Sequence, residues 1–252
     1  MYHTLQNVTG GMRMELSFLG RGSAFNTAQG NTAAFLREGS RLLLLDCGET
    51  VFSRLLACRL LDGVSEIVAA ISHLHSDHCG SLGSLFHYCR YMLGIELRLV
   101  LPDCPAYAQD LRTLLRLYGA EPDGQRGFIR DGSDLGFAAF ERFDMAPTRH
   151  AGEMPCFSFV METAGGGVFY SGDTASPDTF CAFMRAHPGF ERAYIDVTAS
   201  GAGGVHLPLG ELARVTPEPL RSRVRLMHVS DEDCIRAGEA LGFSCVSVYG
   251  QP

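Results

Sequence analysis

The sequence predicts an α/β protein in which two β-sheets pack face to face with helices outside. Short apolar strand-like runs recur along the chain, helical stretches lie between them, and the second half echoes the first. The 252 residues suit one α/β domain. With 46% hydrophobic residues, the chain can bury a sizeable core without staples. No repeat, linker or low-complexity stretch divides it. Residues 1–11 read as a flexible lead-in and 12–252 as a single domain, beginning near Met12 or Met14.

Met14–Leu19, Thr32–Arg37 and Arg41–Asp46 read as strands, the first two separated by the Gly-rich stretch Gly20–Gly30. Thr50–Leu61 has helical spacing. The apolar run Ile67–Ile71 predicts a strand, followed by a polar loop and a helix over about Gly80–Tyr91. Leu97–Leu101 alternates like a strand and stops at Pro102, ahead of a helix over about Ala106–Leu117. Phe137–Phe143 and Cys156–Glu162 predict strands, and Gly165–Gly167 a hairpin turn into strand Val168–Ser171. A helix near Pro177–Ala186 then precedes strand Arg192–Asp196. The tail predicts helix Leu207–Val215, strand Val224–His228, helix Asp231–Leu241 and strand Ser244–Val248.

Composition narrows the function. Apolar runs such as Leu42–Leu45 are far too short to span a bilayer, and the first residues lack the layout of a secretory signal. The nine cysteines form no C-x-x-C pair and read as reduced thiols, so a cytoplasmic protein is expected. Cys79 follows the polar loop directly but is read as packing. A net charge of −7 disfavours long nucleic acid, which is held largely through its phosphates. Every basic side chain other than His is Arg. Arg221, Arg223 and Arg225 alternate at period two and read as a solvated strand face.

Chemistry concentrates in His73-Leu-His75-Ser-Asp77-His78, just past strand 67–71. Three imidazoles and a carboxylate in six residues are costly to bury without a partner. A zinc-like cation is the natural one. His150, Asp173 in Ser-Gly-Asp-Thr, and His228 in Met-His-Val-Ser all fall just past strand ends. Each alone is a weak signal; together with 73–78 they form a ligand set. Two divalent ions would also add local positive charge that attracts an anion to an acidic protein.

That order of residues resembles the metallo-β-lactamase superfamily, from about Met14 to the end. The resemblance implies an αββα sandwich of two mixed β-sheets flanked by helices, with a dinuclear site along one edge. It implies that His73, His75 and His150 hold one metal, that Asp77, His78 and His228 hold the other, and that Asp173 bridges them. Zinc is the first expectation, and manganese accepts the same ligands. Asp46 is similar to a supporting position of the family, where a carboxylate fixes a ligand imidazole; as a residue before Gly48 it also reads as a turn former. Such a metal pair can clamp the attacking and leaving oxygens of an ester.

Within the superfamily, Asp173 in the bridging place argues against the antibiotic-hydrolysing lactamases. The absence of a helical C-terminal substrate domain argues against glyoxalase II. His75, where diiron flavoprotein relatives carry an acid, argues against redox chemistry. Gly22–Asn26, Gly30-Asn31-Thr32 and Val205-His206-Leu-Pro-Leu look like the ribonuclease Z group of phosphodiesterases. There a His at the place of His206 donates a proton to the leaving oxygen; the alternative is a loop His capping helix 207–215. Only a short stretch lies between Pro102 and His150, without the basic arm that grips tRNA. No cysteine cluster follows strand one, as it does in relatives with a structural zinc. What remains resembles the compact phosphodiesterases that hydrolyse 3′,5′-cyclic nucleotides, the anti-Pycsar proteins among them, which destroy cyclic CMP and cyclic UMP signals.

The expected partner is then a small nucleotide, on a homodimer. Asp77 and His206 are taken as catalytic, and Ser23, Phe25, Asn26, Thr27 and Asn31 as substrate contacts. Phe25 would stack on a base, or would plug the core. The alternatives are an RNA 3′-processing endonuclease, a hydrolase of another ester or thioester, and a metal-binding sensor without turnover. Asp77→Ala is expected to abolish hydrolysis while the protein still folds. Unchanged activity of the purified variant would remove the dinuclear mechanism.

Overall fold

The computed structural model describes residues 14–120, 127–199 and 204–251. The expected lead-in, residues 1–11, lies outside the described residues. The first sheet contains β1 (Ser17–Gly20), β2 (Ala33–Glu38), β3 (Arg41–Leu45), β4 (Glu66–Ala70), β5 (Leu97–Leu101) and β6 (Phe128–Arg130), in that spatial order. The second contains β7 (Arg142–Thr148), β8 (Cys156–Glu162), β9 (Val168–Tyr170), β10 (Arg192–Asp196), β11 (Val224–Met227) and β12 (Ser244–Cys245), again in order. In each sheet the first three strands pair antiparallel and the rest parallel. The halves therefore repeat one pairing scheme, and both sheets are mixed, as the sequence led us to expect.

The apolar run Leu42–Leu45 is fully buried, because β3 is covered on both faces. Between the sheets, Phe18 of β1 meets Tyr194 of β10 at 5.1 Å between ring centroids, and within the second sheet Phe159 of β8 stacks on Tyr170 of β9 at 5.5 Å. Helices α1 (Val51–Ala57), α2 (Ser76–Cys79), α3 (Leu82–Tyr88) and α4 (Pro105–Leu117) belong to the first half; α5 (Asp178–Ala186), α6 (Leu209–Val215) and α7 (Glu232–Ala240) belong to the second. Phe169, Phe180, Phe183, Ile195, Leu212 and Leu226 form a separate core between the second sheet and its helices. No helix among the described residues is long and apolar enough to cross a membrane.

Several elements differ from the sequence expectation. The strand expected at Phe137–Phe143 begins at Arg142, because Phe137 and Phe140 are a loop plug. Their rings stack at 5.7 Å, with the Arg41 guanidinium 4.6 Å above Phe137. Pro147 fits inside β7 because β7 is the edge of its sheet. The three-residue β6 is too short to show a period. The expected helix Gly80–Tyr91 begins at Leu82 as α3 and runs into a π-turn over Cys89–Leu93, while α2 forms ahead of it in the stretch read as a loop. Arg221 and Arg223 lie on a 3-10 turn, not a strand face. Arg221 donates to the carbonyls of Ala213 and Leu241, and Arg223 to that of Phe190.

One close approach joins the turn after β3 to the turn after β4. A Cβ on Gly48 would stand 1.9 Å from the Asp77 carbonyl oxygen, and backbone cannot step aside as a side chain can. Gly48→Ala is therefore expected to destabilise the protein by about 1–3 kcal/mol in a urea unfolding curve. An unchanged midpoint would mean that the two turns separate freely.

Candidate metal centre

The polar side chains at the strand ends converge on one edge of the sandwich. His73 lies just past β4, His75 is in extended backbone, and the chain then turns into α2, which carries Asp77 and His78. His150 follows β7, Asp173 follows β9 and His228 follows β11. His228 and Asp46 both take the left-handed backbone, at φ 56° and 66°. Non-glycine residues adopt this region rarely, and it redirects each side chain where its strand ends.

Two clusters result. In the first, the His73 Nε2 lies 3.0 Å from the His75 Nδ1, and the His150 Nε2 lies 3.3 Å from the same atom. In the second, Asp77, His78, Asp173 and His228 meet, with the Asp77 Oδ2 3.4 Å from the His78 Nε2 and 3.2 Å from the His228 Nε2. Asp173 faces both clusters. Its Oδ2 is 3.6 Å from the His150 Nε2 and 3.9 Å from the His73 Nε2, while its Oδ1 is 3.1 Å from the His78 Nε2 and 3.4 Å from the His228 Nε2. Every residue the sequence analysis assigned as a ligand is thus brought to one place.

The donor set fits divalent cations. The buried Asp173 Oδ1 satisfies no hydrogen bond among the described residues, although two imidazole nitrogens stand close to it. Ring nitrogens turned toward one another compete for protons that cannot satisfy them all, and a cation removes the conflict. The proton affinities follow the same crowding. Burial, reinforced by His78, His150 and His75, holds His73 well below the usual imidazole range. Burial also opposes charging His228, but Asp173, Asp196 and Asp77 outweigh it and raise the imidazole to about 10. At Asp77, burial acts against the carboxylate, and the bonds from His228 and His78 overcome it, leaving the acid far below its ordinary value.

A further set of groups orients these side chains. Asp46 is fully buried. It accepts from the Ser72 N–H at 2.7 Å, the Ser72 hydroxyl at 3.1 Å, the Tyr170 hydroxyl at 3.0 Å and the His78 Nδ1 at 2.9 Å. The turn-former reading of Asp46 is therefore incomplete: its side chain fixes His78 with Nε2 toward the cluster. His150 is fixed the same way, its Nδ1 donating to the Val205 carbonyl at 2.6 Å. His206 does not cap α6. Its Nδ1 donates to Asp196 Oδ2 at 2.8 Å, and the other oxygen of Asp196 lies 3.3 Å from the His228 Nδ1. The sequence analysis missed Asp196, although, like Asp46, it is a carboxylate at the end of a buried strand.

A cleft of about 600 Å3 opens over the clusters, with Asp77, Asp173 and His206 in its wall and Phe25, Thr27 and Glu49 around them. Phe25 is 96% exposed and plugs no core. Ser23 and Asn26 tie the Gly-rich loop to the segment after His228, through the Ser23 N–H and the Asn26 amide, both donating to the Val229 carbonyl at 3.1 Å. The Asn31 side-chain carbonyl accepts from the Thr50 N–H at 2.8 Å. Asn26 and Asn31 thus commit their side chains to the fold, and Phe25 and Thr27 remain at the cleft.

This fold and centre define a metallo-β-lactamase-fold protein. The match is supported by the metallo-β-lactamase-fold protein YhfI of Bacillus subtilis, with a TM-score of 0.70 at 20% identity over 92% of this chain and 95% of that one. The short form of human tRNase Z superposes with a TM-score of 0.63 at 20% identity, covering 93% and 96%. The family model "Anti-Pycsar protein Apyc1" matches residues 14–245, and the chain belongs to that family. An anti-Pycsar protein Apyc1 of Paenibacillus sp. (strain J14) is 29% identical over 235 residues, covering 88% of this chain and 91% of that relative.

Because Asp46 bonds the His78 ring and belongs to no metal-type cluster, its loss is expected to weaken metal binding without abolishing it. Asp46→Asn should lower affinity about 10–100-fold in a competition titration against a chromogenic chelator. Wild-type affinity would show that the His78 ring is held without it.

Proposed function

We propose that the protein is a dinuclear metal-dependent phosphodiesterase that opens 3′,5′-cyclic nucleotides, such as cyclic CMP and cyclic UMP, to nucleoside monophosphates. It would thereby remove a cyclic-nucleotide anti-phage signal. The observation that carries this reading is the shared Asp173 between two His/Asp clusters, with His206 beside it on the Asp196 carboxylate. The relative from Paenibacillus supports it by name.

In this reading His73, His75 and His150 hold one divalent ion, Asp77, His78 and His228 hold the other, and Asp173 serves both. Zinc suits the donor set, and manganese is the alternative. When bound, the ions supply Lewis acidity for the attacking water and for charge on the phosphoryl oxygens. The chain's own residues do the rest. His206 holds the proton for the leaving ribose oxygen, which departs poorly as an alkoxide. Burial works against a charged His206, but its bond to Asp196, with the charges of Asp196 and Asp173, raises its proton affinity above the ordinary imidazole value. That keeps an acid available. Phe25 offers an exposed ring for the base, and the cleft volume suits a mononucleotide. The reading includes a cytoplasmic homodimer, which rests on the family resemblance and which sedimentation tests.

The experiment is a hydrolysis panel with zinc- or manganese-loaded protein. It uses cyclic AMP, GMP, CMP and UMP, a 2′,3′-cyclic nucleotide, bis-p-nitrophenyl phosphate and a pre-tRNA. Turnover of the 3′,5′-cyclic nucleotides, abolished by EDTA, is expected; turnover of pre-tRNA alone would overturn the reading. His206→Ala is expected to lower kcat about 10²–10⁴-fold on cyclic nucleotides. It should act far less on bis-p-nitrophenyl phosphate, whose phenolate leaves without a proton. An equal loss on both would remove the proton-donor role.

A further inference from the structure

We propose that a cavity at the opposite end of β10 and β11 from the metal centre is a second binding site, in which Arg225 holds a phosphate-class oxyanion. The cavity lies between the start of β1 and the stretch that follows β12, and has a volume of about 360 Å3. Glu15, Ser17, Tyr194, Arg225, Ser247 and Tyr249 are among its walls, and it shares no wall residue with the cleft. Arg225 is the second residue of β11, whose far end leads to His228. Its alternation with Arg221 and Arg223 reads as a solvated face in the sequence. The structure instead leaves it half-buried, opposite Tyr194 in the pairing of β10 with β11.

Positive charge there is not balanced. The Arg225 and Arg192 guanidiniums both donate to the Ser222 carbonyl, at 2.9 and 3.1 Å, so one neutral acceptor draws two cations together. Like charges that close repel. Among the described residues, the ion pair between Arg192 and Glu15, at 3.4 Å, is the one that either guanidinium makes, and the Glu15 side chain is 60% exposed. No carboxylate pairs with Arg225, and the buried Arg192 Nε satisfies no hydrogen bond among the described residues. Burial and the Arg192 charge both lower the proton affinity of Arg225, but a guanidinium keeps its proton throughout the ordinary pH range. The charge stays, and an anion neutralises it.

The other walls suit an oxyanion. The Tyr194 hydroxyl accepts from the Leu16 N–H at 2.8 Å, while its own proton goes to no group among the described residues. Burial pushes that phenol well above its ordinary value, so the proton is retained for donation. The Ser17 and Ser247 hydroxyls line the same cavity. A guanidinium fork can give two parallel hydrogen bonds to a carboxylate or a phosphate. With hydroxyl donors around it, a tetrahedral group with more than two acceptor oxygens uses more of the wall than a planar carboxylate does. Inorganic phosphate and the phosphate of a nucleoside monophosphate present that same group.

The test is equilibrium dialysis of radiolabelled inorganic phosphate against metal-loaded wild type, R225Q and E15Q, each repeated after EDTA treatment and removal of the chelator. The wild type is expected to retain bound phosphate after EDTA, and R225Q to weaken that binding about tenfold or more. E15Q removes the competing carboxylate and is expected to tighten it ~threefold. Residues that merely supported the fold would not move the affinity in opposite directions, and the E15Q arm does not depend on R225Q folding. Wild-type affinity in both variants overturns the assignment. So does complete loss of phosphate after EDTA, which would put all of it at the metal centre. Competition with CMP separates the sources: displacement of the EDTA-resistant phosphate assigns the site to a nucleotide phosphate, and its retention assigns it to the free ion.

Discussion

Asp173 presents a fully buried carboxylate to imidazoles from both halves of the chain, and the layout of the centre follows from what that requires. Burial alone would neutralise the acid. The desolvation penalty of a buried ion is several kcal/mol, while one opposite charge 4 Å away returns about 4 kcal/mol at an effective dielectric of 20. A single partner is marginal, so several must arrive together. His228 comes from the second half and His78 and His73 from the first, and against burial they hold the carboxylate far below its ordinary range. Side chains so far apart in sequence can meet only where strand ends from both sheets share an edge.

The same economy appears one layer out. Asp46 ends β3 and holds His78; Asp196 ends β10 and holds His206 beside His228. Each stands at the end of a buried strand, β3 pairing antiparallel with β2 and parallel with β4, and β10 parallel with both its neighbours. Each replaces the solvent that would otherwise orient an imidazole. The positive φ at Asp46 and His228 is tolerated because neighbouring hydrogen bonds over-determine both residues, including the Asp46 N–H to Ala70 and the His228 N–H to the Thr32 hydroxyl.

Charge is distributed to match. The chain is acidic overall, yet its imidazoles and carboxylates concentrate in one cleft that would gain positive charge from bound cations. A small anionic ligand is drawn to such a point more readily than a polyanion is drawn to the surface.

The sequence by itself determined the fold class and singled out the imidazoles and carboxylates that converge on one edge. Apolar runs fix β3, β4 and β10 wherever both faces are covered, and the crowding of His73, His75, Asp77 and His78 has no ordinary packing explanation. His206 was legible through its resemblance to a family pattern. Tertiary structure alone decided the rest. Asp196 looks like any strand-end acid until β10 lies beside β11 and its two oxygens reach two histidines. Phe137 and Phe140 have the composition of a strand but pack as a plug, because burial there is set by Arg41 and by Phe143 of β7 rather than by local period. Asn26 and Asn31 read as substrate contacts, but backbone partners at Val229 and Thr50 claim their side chains. In each case the deciding contact spans residues distant in sequence, and local pattern carries no information about which groups the fold will bring together.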